Sequence, residues 1–252
     1  MPFVTIDGAR LEYEMIKGSR SATLVFLHEG LGSVALWRDF PAKVAAASGW
    51  RALVYSRRGY GQSDPIDEPR PVDYMHREAL DVLPRLLDRL GVEQPVFIGH
   101  SDGGSIALIH AGGMLRPVRG IVTMAAHVFV EDLTIKSIEE AKVAFQTTNL
   151  GERMSRYHRD ATAAFWGWND IWLHPDFRAW NIEAFLPKID CPVLAIQGVE
   201  DEYGTPAQVD AIIRGIGARA RPLMLPACRH SPHRDQAATT TAAIADFVRE
   251  LA

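Results

Sequence analysis

The chain has 252 residues, 47 % hydrophobic and 23 % charged, which is the usage of an ordinary globular protein with enough apolar surface for a substantial core. That length suits one α/β domain carrying an internal insertion better than two independent domains. The net charge is −4, and the 27 basic residues are scattered along the chain, so the footprint of a nucleic-acid-binding protein is absent.

The opening FVTIDGARLEYEMI holds two short alternating segments around Asp7-Gly8, a dipeptide suited to a two-residue turn, which predicts an antiparallel hairpin at one end of a sheet. This start is interrupted by charges and lacks the basic and apolar regions of a secretion signal. No run approaches the ~18 consecutive apolar residues of a membrane span, so a soluble, cytoplasmic protein without membrane partners is expected. Four runs rich in branched and aromatic residues follow, at 22–27, 52–56, 95–99 and 120–124. Helical patterns at 35–48 and 72–90 separate some of them, an alternation that predicts a mostly parallel sheet covered by helices on both faces.

The alternation stops between His127 and Lys188, where only helical patterns occur. Strands resume at 192–198 and 221–225, and a closing helix covers about 235–251. The expectation is an α/β core of about eight strands over 1–126 and 188–252, with a helical cap over 127–187 inserted after the sixth strand. A helical insertion there sits over the sheet edge where ligands bind. It carries Phe165, Trp166, Trp168, Trp172, Phe177 and Trp180. These rings either line a pocket or bury the cap on the core, and Trp166 and Trp168 are candidate substrate contacts. Cys191 and Cys228 have no metal-ligand or CxxC spacing and read as reduced thiols. No metal or cofactor is expected, since the first parallel strand is not followed by GxGxxG and no phosphate-binding loop occurs.

Gly99-His100-Ser101-Asp102-Gly103 fits G-x-S-x-G between a strand and a helix, the context the motif requires. A serine in so tight a turn takes strained backbone angles, and glycines two residues to either side avoid collisions with the neighbouring strand and helix. The helix behind it offers unpaired amides and a positive dipole end to a developing oxyanion. Asp201, just past the strand ending at Gly198, is the candidate acid. Glu200 and Glu202 flank it. His230, the first histidine after the strand ending at Leu225, is the candidate base, with His233 as its competitor. A serine hydroxyl is a weak nucleophile until an imidazole takes its proton, and a carboxylate must fix that imidazole's tautomer.

These residues, in the order serine, acid, histidine, resemble the α/β-hydrolase superfamily over nearly the whole chain. His28-Glu29-Gly30-Leu31-Gly32 is similar to its H-G-x-x-G loop, and Arg58-Gly59-Tyr60-Gly61-Gln62-Ser63 to its R-G-x-G-x-S turn. The resemblance implies an oxyanion hole from the backbone amides of Gly30 and Asp102, and its G-x-x-D spacing favours Asp201 over the flanking glutamates. Two positions depart from the family. Glu29 replaces a glycine and is expected to satisfy amides of its own loop, to point away, or to pair with Arg57 or Arg58. Asp102 stands where relatives carry an apolar residue or glutamine, and either meets a cationic substrate group or holds loop amides or an arginine. His100 is expected under the elbow, His28 as a brace of its loop, and His127 within reach of the pocket. Glu29, Asp102 and His127 therefore join the candidate substrate contacts.

The resemblance implies hydrolysis of a small carboxylic ester through an acyl-enzyme on Ser101, with no nucleic-acid partner and a homodimer left open. A serine at the elbow excludes the dehalogenase and epoxide hydrolase chemistries of this fold, which need a carboxylate nucleophile. Carbon-carbon or lactone hydrolysis with the same triad is the nearest alternative. Acyl transfer to another acceptor such as peroxide, and a ligand receptor with vestigial turnover, stand further off.

Overall fold

The computed structural model describes residues 2–251. Strands β1 (Phe3–Ile6) and β2 (Ala9–Ile16) form the expected hairpin, its turn made by Asp7 and Gly8 with φ of 50° and 82°. The first parallel strand, β3 (Arg20–Leu27), leads through a short 3-10 turn at Ala35–Trp37 into α1 (Phe40–Ser48) and then β4 (Trp50–Tyr55). The pattern at 35–48 is therefore two helical pieces. Arg38, at φ 53°, breaks it, and Pro41 starts the second piece, where its missing N–H costs nothing. The pattern at 72–90 becomes α2 (Tyr74–Arg77), a π-helical turn over Glu78–Val82, and α3 (Leu83–Arg89). Pro84, with no N–H to give to the preceding turn, accounts for the interruption.

Next come β5 (Val96–His100), α4 (Asp102–Gly112) and β6 (Gly120–Met124). The segment between β6 and the next strand contains α5 (Asp132–Thr147), α6 (Leu150–Met154), α7 (Ala161–Trp172) and two 3-10 stretches. A single bridge, Phe129 to Asn181, closes its base. The chain ends with β7 (Val193–Gly198), α8 (Ala207–Ile216), β8 (Ala220–Leu225), the short α9 (Pro232–Asp235) and α10 (Ala237–Glu250).

The eight strands lie in the order β1-β2-β4-β3-β5-β6-β7-β8, and β3 to β8 are parallel. Alternate residues of the central strands feed two cores. Leu24, Phe26, Val96 and Ile98 pack toward α1 and α10, while Val25, Leu27 and Phe97 pack toward α3 and α4. The chain leaves β3 in one direction to β4 and reaches β5 on the other side. The carboxyl ends of β3 and β5 thus flank a topological switch point, where open α/β sheets bind ligands. No helix among the described residues is long and apolar enough to cross a membrane.

Candidate active site

Both loops at the switch point carry residues of interest. Ser101 sits between β5 and α4 with φ 50° and ψ −118°, backbone angles that cost a non-glycine residue roughly 1–3 kcal/mol. Packing imposes this turn. A Cβ at Gly99 would lie 2.3 Å from the carbonyl oxygen of Gly103, and one at Gly103 would lie 1.9 Å from that of Leu27. The N–H of Asp102 opens α4, so the helix supplies no partner for it.

Asp201 Oδ1 lies 2.7 Å from His230 Nδ1 and also accepts the N–H of Tyr203 at 2.9 Å. An ionised carboxylate only accepts, so Nδ1 carries the ring proton and Nε2 is left as the basic nitrogen. Burial pushes the His230 pKa down, but the charge and hydrogen bond of Asp201 outweigh it and raise the group above its ordinary value. Burial works upward on Asp201 and is likewise outweighed, by His230, so its carboxyl stays below the usual range. Glu202 instead accepts the backbone N–H of His230 at 3.0 Å and pairs with Arg229 at 3.1 Å, which holds the histidine's loop. His233 packs against Trp37 and Phe40, and burial keeps it well below its ordinary pKa.

The loop after β3 is held from behind. His28 Nδ1 donates to the carbonyl of Glu29 at 2.6 Å, and Nε2 accepts the Arg57 N–H at 3.0 Å, so His28 braces the loop as a neutral ring. Burial, then Arg57, keeps its pKa well below the ordinary value. The Arg57 guanidinium donates to the carbonyls of His28 and Glu29, both at 2.9 Å, and lies 3.5 Å from Asp102 Oδ2. That oxygen also accepts the Tyr74 hydroxyl at 2.6 Å, whose own oxygen accepts Trp172 Nε1–H at 3.1 Å. Asp102 is 1 % exposed, so the structure places its carboxylate on Arg57 and Tyr74, out of reach of a substrate cation.

Glu29 pairs with neither arginine named from the sequence. Arg57 grips its carbonyl oxygen, and Arg58 binds the carbonyl of Pro65. The carboxylate folds back toward His100 Nδ1 (3.3 Å) and Arg234 (3.7 Å), filling the space a side chain at Gly32 would need.

A cavity of about 190 Å³ opens over the elbow. Ser101, His230, Gly30, Glu29, His127 and Trp168 all line it. Trp166 does not; its ring packs edge-on against Phe145 and Phe165 on the far side of α7, with Lys142 above it. His127 donates from Nε2 to the Tyr203 carbonyl at 3.1 Å, and burial lowers its pKa. The cavity also takes in Trp172 from α7, one of the rings offered by the sequence as pocket lining or core, and Thr134 and Ile138 from α5 with Tyr203, which the sequence did not point to. The spacing of Thr134 and Ile138 by four on one helix face was the available signal. Tyr203 stands two residues after the candidate acid, and its ring lies 4.7 Å from that of His230. Trp168 covers Gly30 so closely that a Cβ there would fall 2.2 Å from its indole nitrogen.

The alpha/beta hydrolase fold family matches residues 22–153. The chain belongs to this family. Among curated relatives, it is 25 % identical over 263 residues to Serine hydrolase BPHL of Mus musculus, covering 98 % of this chain and 85 % of that protein. It is 25 % identical over 236 residues to Bifunctional esterase/perhydrolase DCH of Acinetobacter calcoaceticus, covering 80 % and 83 %. Among solved structures, the enol-lactonase from Burkholderia xenovorans LB400 superposes with a TM-score of 0.78 at 20 % identity, over 98 % of this chain and all of that one. This α/β hydrolase is thus a hydrolytic enzyme by family and relatives, on a fold whose switch point carries the constellation just described.

Proposed function

We propose that this α/β hydrolase is a serine esterase that cleaves a small, uncharged carboxylic ester through an acyl-enzyme on Ser101, with His230 as base and Asp201 as its orienting acid. The observation that carries the reading is the 2.7 Å Asp201–His230 bond, which leaves Nε2 of His230 as the basic nitrogen of a ring that shares one cavity with Ser101. The Ser101 hydroxyl attacks the ester carbonyl as His230 Nε2 takes its proton. The carbonyl oxygen becomes an oxyanion and meets the amides of Gly30 and Asp102. His230 then returns the proton to the departing alkoxide. Water, deprotonated by the same nitrogen, attacks the acyl-enzyme, and collapse releases the acid and restores the serine.

The cavity volume exceeds the ~150 Å³ that holds a benzene ring, which supports a short or single-ring acyl group. The helical segment 127–187 acts as the cap, since α5 and α7 supply four of the cavity's walls. Small-molecule turnover in the cytoplasm, with no membrane or nucleic-acid partner, completes the proposal.

The test is hydrolysis of p-nitrophenyl esters from acetate to octanoate by wild type and Ser101→Ala, with mass spectrometry after a fluorophosphonate probe. Turnover that falls at least about a thousandfold in the variant, with the adduct on Ser101, supports the assignment. Neither turnover nor adduct would favour a ligand receptor on the same fold, and a lactone preferred over every ester would move the substrate class.

A further inference from the structure

His100 precedes Ser101 at the end of β5, and its side chain is 2 % exposed. Its Nε2 lies 2.8 Å from the carbonyl oxygen of His230. A carbonyl can only accept, so this nitrogen carries a proton. The other nitrogen, Nδ1, lies 3.3 Å from Glu29 Oε2, close but outside hydrogen-bond geometry. Burial drives the Glu29 carboxyl upward, but the nearby His100 ring, followed by Arg234 and His233, holds it well below the usual range. An ionised carboxylate 3.3 Å from a bare ring nitrogen would set a negative charge beside a buried lone pair, a costly arrangement unless that nitrogen carries a proton.

We infer that Glu29 and His100 form a partly buried carboxylate–imidazolium pair, a positioning device that fastens both the oxyanion loop and the loop of His230 to the end of the serine's own strand. As a statement about catalysis it rests on the serine-esterase reading; as a statement about the proton on His100 it does not. The pair reaches three parts of the site at once. His100 is the residue before Ser101, its Nε2 holds the His230 main chain, and Glu29 is the residue before Gly30.

The surrounding charges fit this assignment. Arg234 lies 3.7 Å from Glu29, the Arg57 guanidinium sits on the Glu29 carbonyl, and the rings of His233 and His230 are 4.8 and 5.2 Å from that of His100. His28, His158 and His233 are pushed down chiefly by burial and stay neutral near pH 7. Beside the Glu202–Arg229 pair and Glu78 near Arg57, the carboxylates of Glu29, Asp102 and Asp201 lie among the cations of Arg57, Arg234 and His100. Removing the His100 proton would leave Glu29 with Arg234, 3.7 Å away, as its neighbouring cation.

Glu29→Gln tests the inference, because the amide can donate to Nδ1 and make the same contact without the extra proton. In the full chain labelled with 15N-histidine, wild-type His100 should show both ring nitrogens protonated near pH 7.5, and Glu29→Gln should show a neutral ring protonated at Nε2. His100→Gln assigns the signal by its disappearance. The acid limb of the kcat profile, which belongs to His230, should stay in both proteins. Glu29→Ala should lower kcat between about tenfold and a hundredfold with a smaller change in KM, as expected for misplaced reacting groups. A neutral His100 in wild type, or a His100 that keeps both ring protons in Glu29→Gln, overturns the pair. A protonated His100 in a protein that turns over no ester would sink the esterase reading and leave the pair standing.

Discussion

Arg57 and Asp102 are the buried charges whose removal should be most informative. Arg57→Met deletes two donors to the carbonyls of His28 and Glu29, each at 2.9 Å, and strips Asp102 of its ion-pair partner at 3.5 Å. Asp102 would remain at 1 % exposure with the Tyr74 hydroxyl alone. Breaking one side of a buried pair typically costs about 3–5 kcal/mol, because the surviving charge is left uncompensated. At about 2–4 °C of melting temperature per kcal/mol for a chain of this size, the expected drop is roughly 6–20 °C. The loop carrying Gly30 loses its anchor as well, so kcat should fall by at least about a hundredfold, the lower bound for a lost oxyanion donor. The decisive comparison is a double-mutant cycle with Asp102→Asn, which keeps an oxygen for Tyr74 and removes the orphaned charge. The double variant should be more stable than Arg57→Met alone, read by urea midpoint at constant slope. If the two losses add, the pair is not the buried electrostatic unit described, and the reasoning fails.

The acid limb of kcat/KM should lie above the ordinary histidine value, since His230 must be neutral to act as base and Asp201 raises its pKa; activity is lost as pH falls through that value. Asp201→Asn should move the limb downward and lower kcat by about four orders of magnitude, and a limb that stays in place would contradict the pairing. Gly30→Ala places a Cβ 2.2 Å from the Trp168 indole, so it should lower kcat by at least about a hundredfold. Trp168→Ala in the same chain should restore at least a tenth of the loss on a logarithmic scale, and no restoration would mean that the clash lies elsewhere.

Much of this site could be read from local sequence because its geometry is locally enforced. The elbow glycines are required by backbone atoms within four residues or on the adjacent strand, and strand-end placement brings Asp201 and His230 to the same edge. What escaped the reading depends on long-range packing. Tyr74 reaches Asp102 from α2, a helix whose apolar periodicity gave no sign that one hydroxyl faces a carboxylate. Glu29 was matched to the arginines nearest in motif order, whereas His100 and Arg234 come to it from β5 and α9. Trp166 and Trp168 are separated by two positions on one helix, so they must face different ways, and only Trp168 turns to the cavity.

The two buried charge systems divide the work of holding the elbow. Glu29 and His100 act on the side of the nucleophile that faces His230, and Arg57 and Asp102 act on the side that faces α2 and α7. The second system extends into the segment above the site, because Trp172 is at once a wall of the cavity and the donor to the Tyr74 hydroxyl that binds Asp102. A group that presses on Trp172 therefore presses on the chain of hydrogen bonds that ends at the Asp102 carboxylate, one residue from Ser101. This gives a physical reason for Asp102 at a position where an apolar residue or glutamine is usual. A buried carboxylate can link a cation below the loop after β3 to a hydroxyl below α7, and an apolar side chain can do neither.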